Sequence, residues 1–574
     1  MIMKKIIYSL LLATALSGCY EDKGNYDYTL DSMNEITSVK FSPAIVETAK
    51  GEVLEVQQAL NEEDTHRRVD VILEQTLLEN LDKLEFNWFR TYTDVDGKSV
   101  KDTIYSKGFL EFDLPVGKTM TYDIFLQIYD KTITLSHYSQ FKIMTRPIFK
   151  NSLFVLHGNE GEHKLGNIEI IGGETKVRSD IMEYTPTNNY ENATGLAYTT
   201  LWDESYGTSG ESINRLTVFN KGAGTKVYDP FGMIVKFDED MALRPKNSNF
   251  TFKKMITIGS TTDASGLYRI ALSEEGNVYV GNEIYTLYKP GYSHEEEVTE
   301  NEHQSNYKIT AATISAIRFI FWDAENNRFL YSAKRLTDRQ AFPFYEKDAN
   351  NVNLKSSTQM LDAKVDFSTL SKSPEGLKAV LGYINFHEDY ENQNPYFIFM
   401  DESTGELFRY KFAVDNGKTT NGAGENSDAE LIIEEVEKLN PFMPNCDLAS
   451  VTYNSWFATN YLFYSDGKTI YRYNVLSGDN VPVYIAPDGY DITVMKFHVE
   501  DAASHSADEH GRILSIGLHN GLNGAVAEIK FNRAADIDKD FAPLFYDKDD
   551  NGNLFGKIKD LQFANETDIA KIKE

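Results

Sequence analysis

A cysteine thiol at the end of a small-residue string is an acceptor for lipid, and Cys19 holds that position. The string Leu16-Ser17-Gly18-Cys19 closes an apolar run, Ile6 to Leu16, that follows the basic pair Lys4-Lys5. A basic n-region, a short apolar h-region and a small-residue cleavage zone make a secretory signal. The terminal cysteine makes it a lipobox, so cleavage before Cys19 and acylation of its sulfur (palmitate) are expected. The apolar run is well short of the ~20 residues that a spanning helix needs. The mature chain is therefore expected to be tethered to a membrane by lipid rather than threaded through it, and loss of Cys19 to release it.

Other chemistry-bearing residues are sparse. An acyl-transfer enzyme needs an activated nucleophile, a base and an oxyanion site. The chain has no Gly-x-Ser-x-Gly elbow, no His-Glu-x-x-His helix and no phosphate-cradling glycine loop. His387-Glu388-Asp389 reads as a solvated loop beside a strand. His505 and His510 flank Asp508 and Glu509, and His294 and His303 flank an acidic run. Imidazole and carboxylate suit divalent ions, but these sets lie in polar loops without helical spacing. Asp547, Asp549, Asn551 and Gly552 have the opening spacing of a calcium loop. The twelfth position from Asp547 is Ile558, where a bidentate glutamate would be needed. The segment reads as a β-turn, with a calcium ion near Asp547, Asp549 and Asn551 as the lesser alternative. Cys446 reads as a small buried residue. Stacking on a sugar or a peptide side chain is chemistry that aromatics supply. Trp202 and Tyr206, in Leu201-Trp202-Asp203-Glu204-Ser205-Tyr206, read as loop residues able to do it, whereas Trp322 and Trp456 read as strand residues that pack. No catalytic residue and no metal site is assigned, and the chain is read as a non-enzyme.

What must position these residues is β structure. The 574-residue chain carries 34 Tyr and 34 Phe with only 15 Pro, a composition that favours strands. Its net charge of −30 becomes −32 without Lys4 and Lys5, which repels nucleic acid and anionic lipid surfaces. After cleavage of residues 1–18, residues 19–34 read as an anchor linker. Residues 35–147 hold alternating strands such as Leu84-Phe86-Trp88, which suit an immunoglobulin-like sandwich. Residues 148–574 repeat one motif: an apolar strand, an acidic or glycine turn, then an aromatic alternating strand. Copies begin near Ser152, Leu267, Arg318, Tyr396, Asn460 and Arg512. This pattern fits the inner half of a propeller blade, and the array length fits about seven blades. Two stacked sandwiches are the structural alternative. The segment 427–439, ambiguous between helix and strand, reads as strand. The fold class is all-β throughout.

The opening Cys19-Tyr20-Glu21-Asp22-Lys23-Gly24-Asn25-Tyr26-Asp27-Tyr28 resembles that of PKD-like lipoproteins of Bacteroidota. The Trp88 strand, Leu439-Asn440-Pro441-Phe442 and the Tyr461–Tyr464 and Ile470–Tyr473 strands resemble the same family, so the likeness runs through the chain. Glu21 and Asp22 resemble the acidic export tag of surface lipoproteins. The resemblance implies a lipid-anchored outer-membrane protein facing the exterior. It also implies an accessory role in a SusC/SusD-type uptake system, with a TonB-dependent transporter and a SusD-like lipoprotein as partners and a peptide or glycan as ligand. It supplies no catalytic residues. A propeller hydrolase or lyase using carboxylates joined by the fold, and a purely structural transporter subunit, are the other readings.

Overall fold

The computed structural model describes residues 34–564 apart from 49–50, 60–64, 77–81, 95–96, 107, 116–119, 147–148, 150, 172–173, 183–189, 204–210, 222–223, 238–250, 259–267, 282–288, 291–306, 315–318, 333–345, 348–352, 356–359, 385–393, 416–429, 455–456, 458–460 and 499–509. The chain forms two compact units, Met1–Arg146 and Pro147–Glu574.

The first unit is a two-layer sandwich. Its strands are β1 (Ile36–Ser42), β2 (Ile45–Thr48), β3 (Gly51–Gln57), β4 (His66–Gln75), β5 (Leu84–Thr93), β6 (Ser99–Ser106), β7 (Phe109–Asp113), β8 (Thr121–Asp130) and β9 (Leu135–Arg146). They build a three-stranded sheet, β1-β4-β7, and a six-stranded sheet, β2-β3-β9-β8-β5-β6. β3 and β9 run parallel, and the other paired neighbours are antiparallel. Alternation decides which face is buried: Leu84, Phe86 and Trp88 of β5 and Tyr122, Ile124, Leu126 and Ile128 of β8 point inward. Trp88 is fully buried, edge-on to Phe41 at 6.3 Å and to Phe141 at 6.5 Å. Arg90 is carried beside this core by its ion pair with Asp102 (2.5 Å) and the surrounding rings of Tyr92, Phe112 and Tyr122.

Among the described residues the second unit holds seven four-stranded antiparallel sheets and a two-stranded ribbon, Glu346–Lys347 with Asn353–Lys355. Blade 1 takes its inner strand, Ile558–Ala564, from the far end of the chain and adds Ser152–His157, Lys164–Ile171 and Glu174–Arg178. The other blades are consecutive. Blade 2 has Ala193–Asp203, Glu211–Asn220, Lys226–Asp229 and Ile234–Phe237. Blade 3 has Phe252–Ile258, Tyr268–Ser273, Val278–Gly281 and Lys289–Pro290. Blade 4 has Ile309–Ile314, Phe319–Asp323, Arg328–Ser332 and Met360–Asp362. Blade 5 has Lys378–Ile384, Pro395–Asp401, Glu406–Asp415 and Glu430–Leu439. Blade 6 has Asp447–Tyr453, Tyr461–Ser465, Thr469–Asn474 and Asn480–Ile485. Blade 7 has Asp491–Phe497, Ile513–His519, Gly524–Lys530 and Leu544–Tyr546. The first strand of each blade lies against the first strand of the next, and blade 7 meets Ile558–Ala564 of blade 1. The ring is closed, and the unit is a seven-bladed β-propeller.

Apolar clusters fill the gaps between blades. One joins Ile270 and Leu272 of blade 3 to Phe319 and Phe321 of blade 4. Another joins Trp322 and Phe329 of blade 4 to Phe397 and Phe399 of blade 5, and a third joins Phe463 of blade 6 to Ile516 of blade 7. Residues 430–439 are strand, as read.

Two sequence expectations are corrected. The repeated strand–turn–strand pair is the middle of each blade, not its inner half. Middle strands have a strand on either side and a blade on either face, so they are the most apolar: all of Ser152–His157 and Phe319–Asp323 are buried. Blade 2 is also a seventh copy that the six-copy count passed over. Its middle pair, Glu211–Asn220 and Lys226–Asp229, has a glycine turn and a four-residue third strand.

Candidate functional site: the axis of the propeller

The inner strands share an irregularity near their N-terminal ends. In six of them pairing skips one residue: Lys559, Thr194, Lys253, Thr310, Val380 and Thr493 in blades 1, 2, 3, 4, 5 and 7. In blade 6 pairing lapses between Asp447 and Thr452. A bulge re-aims side chains that plain alternation would bury against a neighbouring blade. Here side chains at or beside the bulge reach the backbone of the next blade. Phe252 N–H of blade 3 donates to Thr194 Oγ1 of blade 2 at 3.0 Å. Lys253 Nζ donates to the Thr310 carbonyl of blade 4 at 3.0 Å. Leu196 N–H of blade 2 donates to Asp560 Oδ2 of blade 1 at 2.7 Å.

Lys496 of blade 7 crosses several inner strands. Its ammonium lies 3.5 Å from Asp560 Oδ1, donates to the Leu196 carbonyl at 3.0 Å and sits 5.8 Å from the Phe252 ring centre. Blades 7, 1, 2 and 3 thus meet at one ion pair. Its side chains are only 17% and 11% exposed, so its energy depends on how fully the charges are satisfied. Lys253 differs: it is open to solvent, yet protein close around it pushes its ammonium below the usual lysine range by desolvation. Lys254 and Lys308 add repulsion, and Glu274 opposes it. This part of the axis offers a solvent-facing cation beside hydroxyl and carbonyl groups, and can hold an acidic or hydroxyl-bearing group.

A second polar cluster has the composition of a catalytic set. His498 Nε2 lies 2.9 Å from Ser515 Oγ and 2.7 Å from Glu528 Oε1, and Ser515 Oγ donates to the same oxygen at 3.1 Å. A serine relay needs serine and acid on opposite ring nitrogens, whereas here both share Nε2. All three residues are buried, and the imidazole stacks on Phe563 of blade 1 at 4.1 Å. The set ties blade 7 to blade 1.

Of the residues singled out in the sequence, Cys19, Glu21, Asp22, Tyr206, Trp456, His294, His303, His387, His505, Asp508 and Glu509 lie outside the described residues. Trp202 is not in a loop: its backbone is the last but one residue of the inner strand of blade 2, paired with Ser212, and its side chain lies outside the described set. Trp322 is fully buried. Cys446 is half-buried against the blade 5–6 core, and burial, with Asp447 and Asp466, raises its thiol to about 12. Asp549 sits in a turn closed by Gly552 N–H to its carbonyl. Its carboxylate accepts from Ser179 Oγ (2.7 Å), Asn551 N–H (2.9 Å) and Asn553 N–H (2.8 Å). Those oxygens are engaged within the protein, and Asp547 and Asn551 are exposed. Among the described residues no three His, Cys, Asp or Glu converge as metal ligands. Sequence reading missed Lys253, Lys496 and Asp560. Their strands lack a strong apolar run, and only small residues such as Gly195 and Gly382 mark where blades approach closely.

The PKD-like family model matches residues 19–195. The PKD-like match covers about a third of the chain rather than all of it, and runs past the sandwich through blade 1 to the start of blade 2. No curated protein matches the chain. Among solved structures, a quinonprotein alcohol dehydrogenase-like protein from Bacteroides thetaiotaomicron is 8% identical over 84% of this chain and 92% of its own, with a TM-score of 0.34. The β-propeller domain of Cps50 (Swd1) from Myceliophteria thermophila is 10% identical over 57% and 92%, with a TM-score of 0.25. Saccharomyces cerevisiae Sqt1 is 8% identical over 66% and 91%, also at 0.25. Likenesses this distant carry no argument about function, and the blade architecture rests on this chain's own sheets. No helix among the described residues is long and apolar enough to cross a membrane.

Proposed function

We propose that the protein is a non-enzymatic, lipid-anchored accessory of a SusC/SusD-type outer-membrane uptake system, binding or presenting a peptide or glycan at the cell surface. The observation that carries the reading is that the PKD-like match opens at Cys19, the residue on which the lipobox ends. The start of the match coincides with the expected first residue of the mature chain, and this coincidence supports the reading. Glu21 and Asp22, directly behind the anchor, supply the surface-export signal in this reading. The closed seven-blade ring supports binding, because it holds loops and an axial cation on a rigid frame. The axial carboxylate Asp560 is paired with Lys496 rather than with a second carboxylate, an arrangement that suits a binder better than a glycosidase, which needs two acids flanking a bond.

The test is affinity purification, with Cys19 intact, from detergent-solubilised outer membranes of the native host. Stoichiometric recovery of a TonB-dependent transporter with its SusD-like lipoprotein is the expected result. Recovery of the protein alone would overturn the accessory role.

A further inference from the structure

The outer face of the sandwich carries an arrangement that the fold does not need. On β5, β8 and β9, adjacent in the middle of the six-stranded sheet, Phe89, Phe125 and Tyr138 point away from the core and are 39%, 38% and 55% exposed. Phe89 stands directly opposite Phe125 with ring centres 5.8 Å apart, and Phe125 is 5.4 Å from Tyr138. Beside this ladder runs a second row. Asn87 Nδ2 donates to Gln127 Oε1 at 3.2 Å, and Gln127 Nε2 donates to Ser136 Oγ at 3.0 Å and to the Tyr138 hydroxyl at 3.4 Å.

Single exposed aromatics are ordinary, but three in contact are not. Cross-strand ring pairs add only ~0.2–1 kcal/mol to a sheet, and this sheet already buries Trp88 and Leu126 on its other face. The charge pattern narrows the ligand. Both rows are uncharged in a chain of net charge −30. Of the ionisable groups on the margins, Lys131 pairs with Glu85 at 2.6 Å and Lys142 with Asp123 at 3.8 Å, and Lys101 of β6 is exposed opposite Thr91. A neutral ligand with an apolar face and hydroxyls at its rim meets the rings and the amides at once. Three strands set about 4.8 Å apart give the ladder a reach of about 10 Å, the scale of a short saccharide. A peptide strand would pair at a sheet edge, and this is a sheet face.

We propose that the Phe89–Phe125–Tyr138 ladder, with Asn87 and Gln127, is a binding platform for neutral glycans. The proposal does not depend on the transporter reading. It is tested by native affinity electrophoresis of the full chain in gels containing dextran, galactomannan, xyloglucan or yeast mannan, with alginate as the anionic control. The expected result is retardation by at least one neutral polysaccharide, weakened about tenfold or more by Phe125→Ala and unchanged by Phe545→Ala, an exposed ring of blade 7. Phe125→Leu keeps a bulky apolar side chain and removes only the ring, so it is expected to weaken binding at unchanged Tm should Phe125→Ala fail to fold. Retardation by none of the neutral polymers, retardation by alginate alone, or retardation indifferent to both Phe125 variants would overturn it. So would a dimer in sedimentation that Phe125→Leu dissociates, which would assign the face to self-association.

Discussion

His157 shows how one side chain holds a closure. Its Nε2 lies 2.6 Å from the Ser179 carbonyl, to which it donates, and its Nδ1 accepts from Gly556 N–H at 2.9 Å. The ring joins the outer edge of blade 1 to the segment that delivers the last strand. Burial is the main cause of its low basicity, Lys164 and His163 add to it, and the Ser179 carbonyl and Asp180 oppose it. Above the ordinary imidazole value of 6.5 the ring is neutral in both states and its titration contributes nothing. Below it the unfolded chain takes up a proton that the folded ring resists, so stability falls with pH, by at most ~1.4 kcal/mol per pH unit. His157→Gln is expected to show a smaller loss than the wild type between about pH 7 and about pH 5.5 in urea unfolding, from a lower starting stability. Asp549 has the opposite sign. Burial alone would raise its carboxyl, but hydrogen bonds from Asn553 and Ser179 outweigh it and hold the group at about 2. That contribution is complete above the unfolded value near 4 and is lost as pH falls toward 2. Asp549→Asn should therefore cost about 2 kcal/mol at neutral pH and little in strong acid. Equal losses at both pH values would refute the assignment.

At the scale of elements, the inner strands are the informative ones. They hold the bulges, the small residues and the axial charges. Gly195 is required by packing rather than by its backbone angles. A Cβ there would lie 2.1 Å from Phe252 Cδ1, within a stacked Phe219–Phe252 pair. Gly195→Ala should lower stability by about 1–3 kcal/mol, read as a shift in denaturant midpoint at constant slope. The last strand matters more. Ile558–Ala564 completes blade 1 and touches blades 2 and 7. A chain ending at Lys557 leaves Ser152–His157 with an unpaired edge and an open ring. It is expected to lose the cooperative unfolding transition of the propeller and to aggregate. A truncated chain that melts like the full one would show that closure contributes nothing.

For the whole molecule, the prediction with the clearest readout belongs to the anchor. Cys19→Ala should move the protein from the membrane pellet to the soluble fraction while leaving circular dichroism and Tm unchanged, because lipidation adds membrane affinity and no fold contact. A variant that still sediments with membranes would remove the basis of the lipoprotein reading.

Local rules made much of this molecule readable. Strand alternation gave Leu84-Phe86-Trp88 as a half-buried strand, and apolar runs followed by turns marked the middle pairs of six blades. Both depend on neighbours in sequence. Turns such as Asp466-Gly467 were legible because a short acid bonds nearby backbone N–H groups, here Lys468 at 2.9 Å and Thr469 at 2.7 Å. The sequence by itself determined an all-β chain with a propeller of about seven blades, and it carries the string ending at Cys19 that reads as a lipobox. Tertiary structure alone decided that the recurring pair is mid-blade and that residues 558–564 return to blade 1. It alone placed Lys496 beside Asp560 and set Phe89, Phe125 and Tyr138 in one ladder. Each of these joins residues distant in the chain, and no local period records which distant strand becomes a neighbour.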